Sequence, residues 1–132
     1  MRIFKVRVFA RLARRAGISD ASLVQAVADA ERGLIEADLG GGVIKQRVAR
    51  PGAGKSGGYR VLLAYRTKTM SIFLHVFAKS DIGNIGVDEL RTLRDIARYW
   101  LQASSKTIDG AVADGNLLEM EREGGKENKN EN

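Results

Sequence analysis

Val43-Ile44-Lys45-Gln46-Arg47-Val48-Ala49 is the stretch on which the fold turns. Lys45 and Arg47 fall on one side of an extended chain, and Ile44, Gln46 and Val48 fall on the other. That period of two belongs to a strand, not a helix. Gly40-Gly41-Gly42, just before it, marks the change of regime. Downstream, Pro51 to Gly58 is so rich in glycine that a loop is expected. Tyr59 to Arg66 and Ile72 to Lys79 then predict two more strands, and the link Thr67-Lys68-Thr69-Met70 is short enough for an antiparallel hairpin. Both strands carry apolar residues on two faces, as central strands covered on both sides do.

Outward from this core the period changes. Phe4, Val8, Leu12 and Ala16 recur every four residues, widened by Phe9 and Ala13, and predict a helix over residues 4–15 that Gly17 stops. Ser19 suits the N-cap of a second helix with Leu23, Val27, Ala30 and Leu34 on one face. A helical hairpin is the expected start of the chain. After the strands, Leu90, Leu93, Ala97 and Leu101 predict a helix from Val87 to Gln102, with Asp88 and Glu89 at its positive end. A short helix over Ser105 to Ala113, a turn at Asp114-Gly115-Asn116 and a last strand at Leu117 to Met120 follow. Consecutive strands with helices segregated at the ends give an α+β fold: an N-terminal helical hairpin on a twisted, mainly antiparallel sheet, with a C-terminal helix. Residues 1–120 read as one domain and residues 121–132 as a disordered polar tail.

Charge is the sharper signal. From Leu39 to Ser80 stand Lys45, Arg47, Arg50, Lys55, Arg60, Arg66, Lys68 and Lys79 with no Asp or Glu, so the rest of the chain sums to −2 against a total of +6. Like charges on neighbouring strands repel, and a phosphate backbone is the natural counterweight. Zinc or thiol chemistry is excluded in practice by a single His (His75) and no Cys. Gly52, Gly54, Lys55 and Ser56 mimic a nucleotide-binding loop, but Ala49 stands where the first glycine belongs and a strand is expected to follow. No apolar run is long enough for a membrane span or a signal peptide, so a cytoplasmic protein is expected.

Three local motifs then resemble the RelE/HigB toxins of bacterial type II toxin–antitoxin systems. They are Ile44-Lys45-Gln46-Arg47, then Lys55-Ser56-Gly57-Gly58-Tyr59-Arg60-Val61-Leu62-Leu63-Ala64-Tyr65, then Val76-Phe77-Ala78-Lys79-Ser80-Asp81. The opening Ile3-Phe4-Lys5 with Phe9-Ala10, and the connector Asp38-Leu39-Gly40-Gly41-Gly42, look like a RelE-type subfamily. The resemblance implies an endoribonuclease that cuts mRNA in the ribosomal A site. It also implies an antitoxin that silences the toxin, with operator DNA reached only through that complex. No cofactor, metal or membrane is implied. Lys45, Arg47, Arg60 and Lys79 match the family's basic residues and are the expected catalytic set; Arg50, Lys55, Tyr59, Arg66 and His75 are the expected RNA contacts. Ile82, Asn84 and Ile85 stand where some members carry a base-stacking Tyr. Other members of the wider RelE/ParE superfamily have lost RNA cleavage and inhibit gyrase. A non-catalytic inhibitor or a plain nucleic-acid-binding module is therefore the alternative.

The chemistry asked of such a set is attack of an RNA 2′-hydroxyl on the adjacent phosphorus. With no carboxylate expected on the basic sheet, the work falls to cations. Arg60 would clamp the phosphate through its planar fork. Lys45 would act as base, because neighbouring cations disfavour its charged form. Arg47, Lys55 and Lys79 would neutralise the developing charge, and Lys79 or His75 would protonate the leaving oxygen.

Overall fold

The computed structural model describes residues 1–50, 54–78 and 85–120, with the backbone alone for Arg50 and residues 54–57. The chain runs β1 (Arg2–Val6), α1 (Arg7–Ala16), α2 (Asp20–Glu31), β2 (Ala37–Gly40), β3 (Val43–Arg50), β4 (Gly54–Arg66), β5 (Met70–Ala78), α3 (Val87–Gln102), α4 (Ser105–Ala113) and β6 (Leu117–Met120). The described residues make an α+β arrangement of four helices and one six-stranded sheet in the order β2-β3-β4-β5-β1-β6. The sheet is mixed: β1 lies parallel to β5, and the other neighbours are antiparallel.

Two expected element boundaries fail, for physical reasons. Residues 2–6 are a strand, so the first helix begins at Arg7 and not at residue 4. Ile3 and Phe4 are buried in opposite layers of the molecule, which a central strand requires and a helix stripe does not. Val8, placed on the apolar stripe by its spacing from Phe4, is half exposed, and Phe9, Ala10 and Ala13 face the core instead. The loop expected over Pro51 to Gly58 is also shorter than thought. β4 starts at Gly54 and pairs back on β3 as Arg50↔Gly54, past a bulge after Val48. Pro51 to Ala53 lie outside the described residues. A strand, not a helix, carries Lys55 and Ser56, which removes the nucleotide-binding loop. Residues 121–132 and the end of the third predicted strand at Lys79 also lie outside the described residues.

Helices cover both faces of the sheet. Phe9, Ala13, Leu23, Ala26, Val27 and Ala30 of α1 and α2 pack on Ile3, Ile44, Val48, Val61, Leu63 and Phe73. Ala97, Leu101, Ile108 and Ala111 of α3 and α4 pack on Phe4, Val43, Leu62, Ala64, Ile72 and Leu117. Leu34, expected on the α2 face, lies past the end of that helix and is exposed. The glycine triplet is a steric need. Gly40, Gly41 and Gly42 all have positive φ, and a Cβ on Gly42 would lie 2.6 Å from Leu101 Cδ1. Glycine is the residue that tolerates both. Arg94 of α3 seals the same turn, its Nε donating to Leu39 O at 2.9 Å. Among the described residues no helix is long and apolar enough to cross a membrane.

Candidate functional site

Cross-strand register builds a grid on the α3 side of the sheet. Val43, opposite Ala64, and Ile72 lie beneath α3 and α4. One step along, Lys45 pairs with Leu62, and Leu62 with His75. One step further, Arg47 pairs with Arg60, and Arg60 with Phe77. Directly opposed residues of an antiparallel pair project from the same face. Lys45, Arg47, Arg60 and His75 therefore share one patch, with Lys45 and Arg47 about 7 Å apart along the strand.

His75 reaches this face through an irregularity. The pairing of β4 with β5 slips between Leu62↔His75 and Leu63↔Phe73, leaving Leu74 without an opposite number. A bulge of this kind re-aims the side chains after it. Phe73, which an unbroken strand would put on the same face as His75, points into the α1–α2 layer, whereas Phe77 joins the α3–α4 layer. The rings of His75 and Phe77 lie 5.7 Å apart. His75 lines a cavity of about 230 Å³ with Glu89, Thr92 and Leu93 of α3.

The expectation that no carboxylate lies on the basic sheet is overturned by Glu36. Its Oε2 accepts from Arg47 Nε at 2.9 Å and from Arg60 Nε at 3.1 Å, and its Oε1 lies 3.0 Å from Arg60 Nε. Arg60 is buried and donates further, through Nη1, to Tyr59 O at 3.4 Å. The Arg47 side chain is 52% exposed. Two cations facing each other across a strand pair repel, and one shared carboxylate offsets that repulsion. Lys45 is half-buried and makes no ion pair among the described residues. Glu36 precedes β2, outside the acid-free stretch counted from Leu39. The β2–β3 hairpin, with Ala37 opposite Lys45, folds it back onto β3. The available signal was two acidic residues, Glu36 and Asp38, just before a glycine turn.

Gln46, on the other face of β3, holds this corner in place. Its Nε2 donates to Ala26 O and Leu34 O at 3.0 Å each, and its Oε1 accepts from the Glu36 amide at 2.9 Å. A cleft of about 530 Å³ adjoins it, lined by Asp29, Leu34, Ile35, Glu36 and Arg47 among others.

The remaining expected residues are not gathered here. Tyr59 points to the α1–α2 layer, opposite Val48. Arg66 is six residues past Arg60, about 20 Å along the strand, near the β4–β5 turn. The backbones of Arg50 and Lys55 are at the β3–β4 end of the sheet, their side chains outside the description. Lys79 lies outside the described residues.

Residues 1–120 match the sequence model of a family described as the RelE toxin of the RelE/RelB toxin–antitoxin system. No curated protein matches the chain.

Proposed function

The chain belongs to the RelE toxin family, and from that premise we propose that it is the toxin of a toxin–antitoxin pair, a metal-independent endoribonuclease that cuts mRNA on the ribosome and so arrests translation. A partner antitoxin, implied by the family, would hold it silent in the cytoplasm and carry it to operator DNA. The observation that carries the reading is the patch of Lys45, Arg47, Arg60 and His75, which has more positive charge than Glu36 balances. An anion is the missing partner.

The surroundings of each group suggest its part. Arg47, half exposed with Nη1 and Nη2 free of partners among the described residues, meets the phosphoryl oxygens. Lys45, beside it and without a carboxylate among the described residues, is the candidate to accept the 2′ proton. Arg60 contributes from below, because its Nε already grips Glu36. His75 sits one row away, within the same face, as the candidate acid for the leaving 5′-oxygen. Such a loose set of groups needs the RNA delivered in shape, which is what a ribosome supplies.

Expression in a bacterium tests this. Growth arrest with mRNA cuts at the ribosomal A site is the expected result, with little cleavage of naked RNA by the purified protein. Vigorous cutting of free RNA would oppose ribosome dependence, and a DNA-damage response without mRNA cuts would move the protein to the gyrase-inhibiting branch.

A further inference from the structure

Glu36 meets both arginines through Nε, the inner edge of the guanidinium. This contact through Nε leaves Nη1 and Nη2 of Arg47 without a partner among the described residues. Two arginines standing directly opposite on β3 and β4 would otherwise turn apart. The backbone of Glu36 is itself fixed, since its amide donates to buried Gln46. Its side chain is four-fifths covered. This carboxylate is therefore built in, and it stands beside the place where a phosphate would bind.

We propose that Glu36 is a positioning residue for phosphodiester chemistry: it holds Arg47 and Arg60 in a fixed, parallel presentation while weakening ground-state attraction for the RNA. The proposal rests on the endoribonuclease reading above. A negative charge beside the site lowers affinity for any polyanion. A fixed guanidinium raises the rate, because groups held in place before the reaction need not reorganise during it. Binding and chemistry should therefore move in opposite directions when Glu36 loses its charge. A carboxylate that merely stabilised the fold would not produce that split.

The test compares the parent with Glu36→Gln and Glu36→Asp. Binding is measured on a 2′-deoxy single strand, which lacks the nucleophile, across a salt series. Chemistry is measured as single-turnover mRNA cleavage on ribosomes. Glu36→Gln keeps the shape but accepts well from only one Nε. It is expected to bind the deoxy strand more tightly, with a log–log salt slope steeper by about 0.7, and to cleave at least about tenfold more slowly. Glu36→Asp keeps the charge but reaches only one arginine; its slope should match the parent and its rate should lie between. If Glu36→Gln fails to fold by circular dichroism, Glu36→Asp decides alone: it keeps the charge and loses one arginine, so the slope should hold while the rate falls. A parental cleavage rate in these variants, or binding that weakens together with rate, overturns the role of Glu36 and leaves the nuclease reading standing. A parent that does not cleave on ribosomes overturns both.

Discussion

Arginines occur in both halves of the sheet in opposite balance. At the β1–β6 end, one guanidinium has two carboxylates: Arg2 meets Glu119 at 2.8 Å and Asp109 at 2.9 Å. On the β3–β4 side, Arg47 and Arg60 share Glu36, and Lys45 beside them has no ion pair among the described residues. Among the described residues, carboxylates outnumber the guanidinium in the first region and cations outnumber the carboxylate in the second. The basic α1 helix illustrates the same rule. Arg14 and Arg15 sit in its last turn, where the negative end of the helix dipole already provides for them. Local charge balance, not the number of basic residues, separates a candidate site from a solvated surface.

The largest expected effect breaks this comparison on the β3–β4 side. Arg47→Ala should lower ribosome-dependent cleavage by at least about a hundredfold, as loss of one charge-stabilising donor does elsewhere. Its melting midpoint should barely move, because half-exposed ion pairs contribute about 0–1 kcal/mol. Arg2→Ala should leave cleavage at the parental rate. Equal activity in the two variants would mean that the β3–β4 patch is not the reacting surface.

Much of this contrast was legible before any coordinates. Period-two alternation in Val43 to Ala49 put Lys45 and Arg47 on one face, and β3 bears that out. The helix from Val87 to Gln102, the short helix and the final strand also stand where their patterns put them. What failed to show had a physical cause each time. β1 is buried on both faces, so it lacks alternation, and Phe4-x-x-x-Val8 imitated a helical stripe across a strand–helix junction. The β5 bulge shifted the phase of Phe73 against His75, and no residue type announced it. Glu36 escaped because its role depends on a hairpin register rather than on its neighbours in sequence. The charge count located the patch and missed its counter-ion.

A second effect sharpens the comparison through the scaffold. Gln46→Leu fills the same space but leaves the Glu36 amide without its acceptor and Ala26 O and Leu34 O without this donor. A buried group left unpaired costs about 1–3 kcal/mol. The variant should lose about 2–3 kcal/mol in urea unfolding and also cleave more slowly, because Glu36 is no longer anchored. Stability loss with an unchanged cleavage rate would show that the Gln46 network supports the fold alone.

The smallest effect lies at the β1–β6 end. Arg2 donates to Glu119 and holds its carboxyl below the usual carboxylate range, chiefly through that hydrogen bond. A carboxyl depressed in the folded state favours folding when ionised, so its contribution is fully present above the ordinary value of 4.5 and fades as acid protonates it. Arg2→Ala should cost no more than about 1 kcal/mol near neutrality, given a side chain two-fifths exposed. The gap between parent and variant, read from urea midpoints at stepped pH, should narrow once the pH falls below about 4.5 and close at lower pH. High salt should narrow it too, since exposed pairs are screened. A gap that persists at low pH would mean that Arg2 acts through its place over Phe4, 4.9 Å from the ring centre, rather than through its carboxylates. The two halves of the sheet would then differ in kind and not only in charge balance.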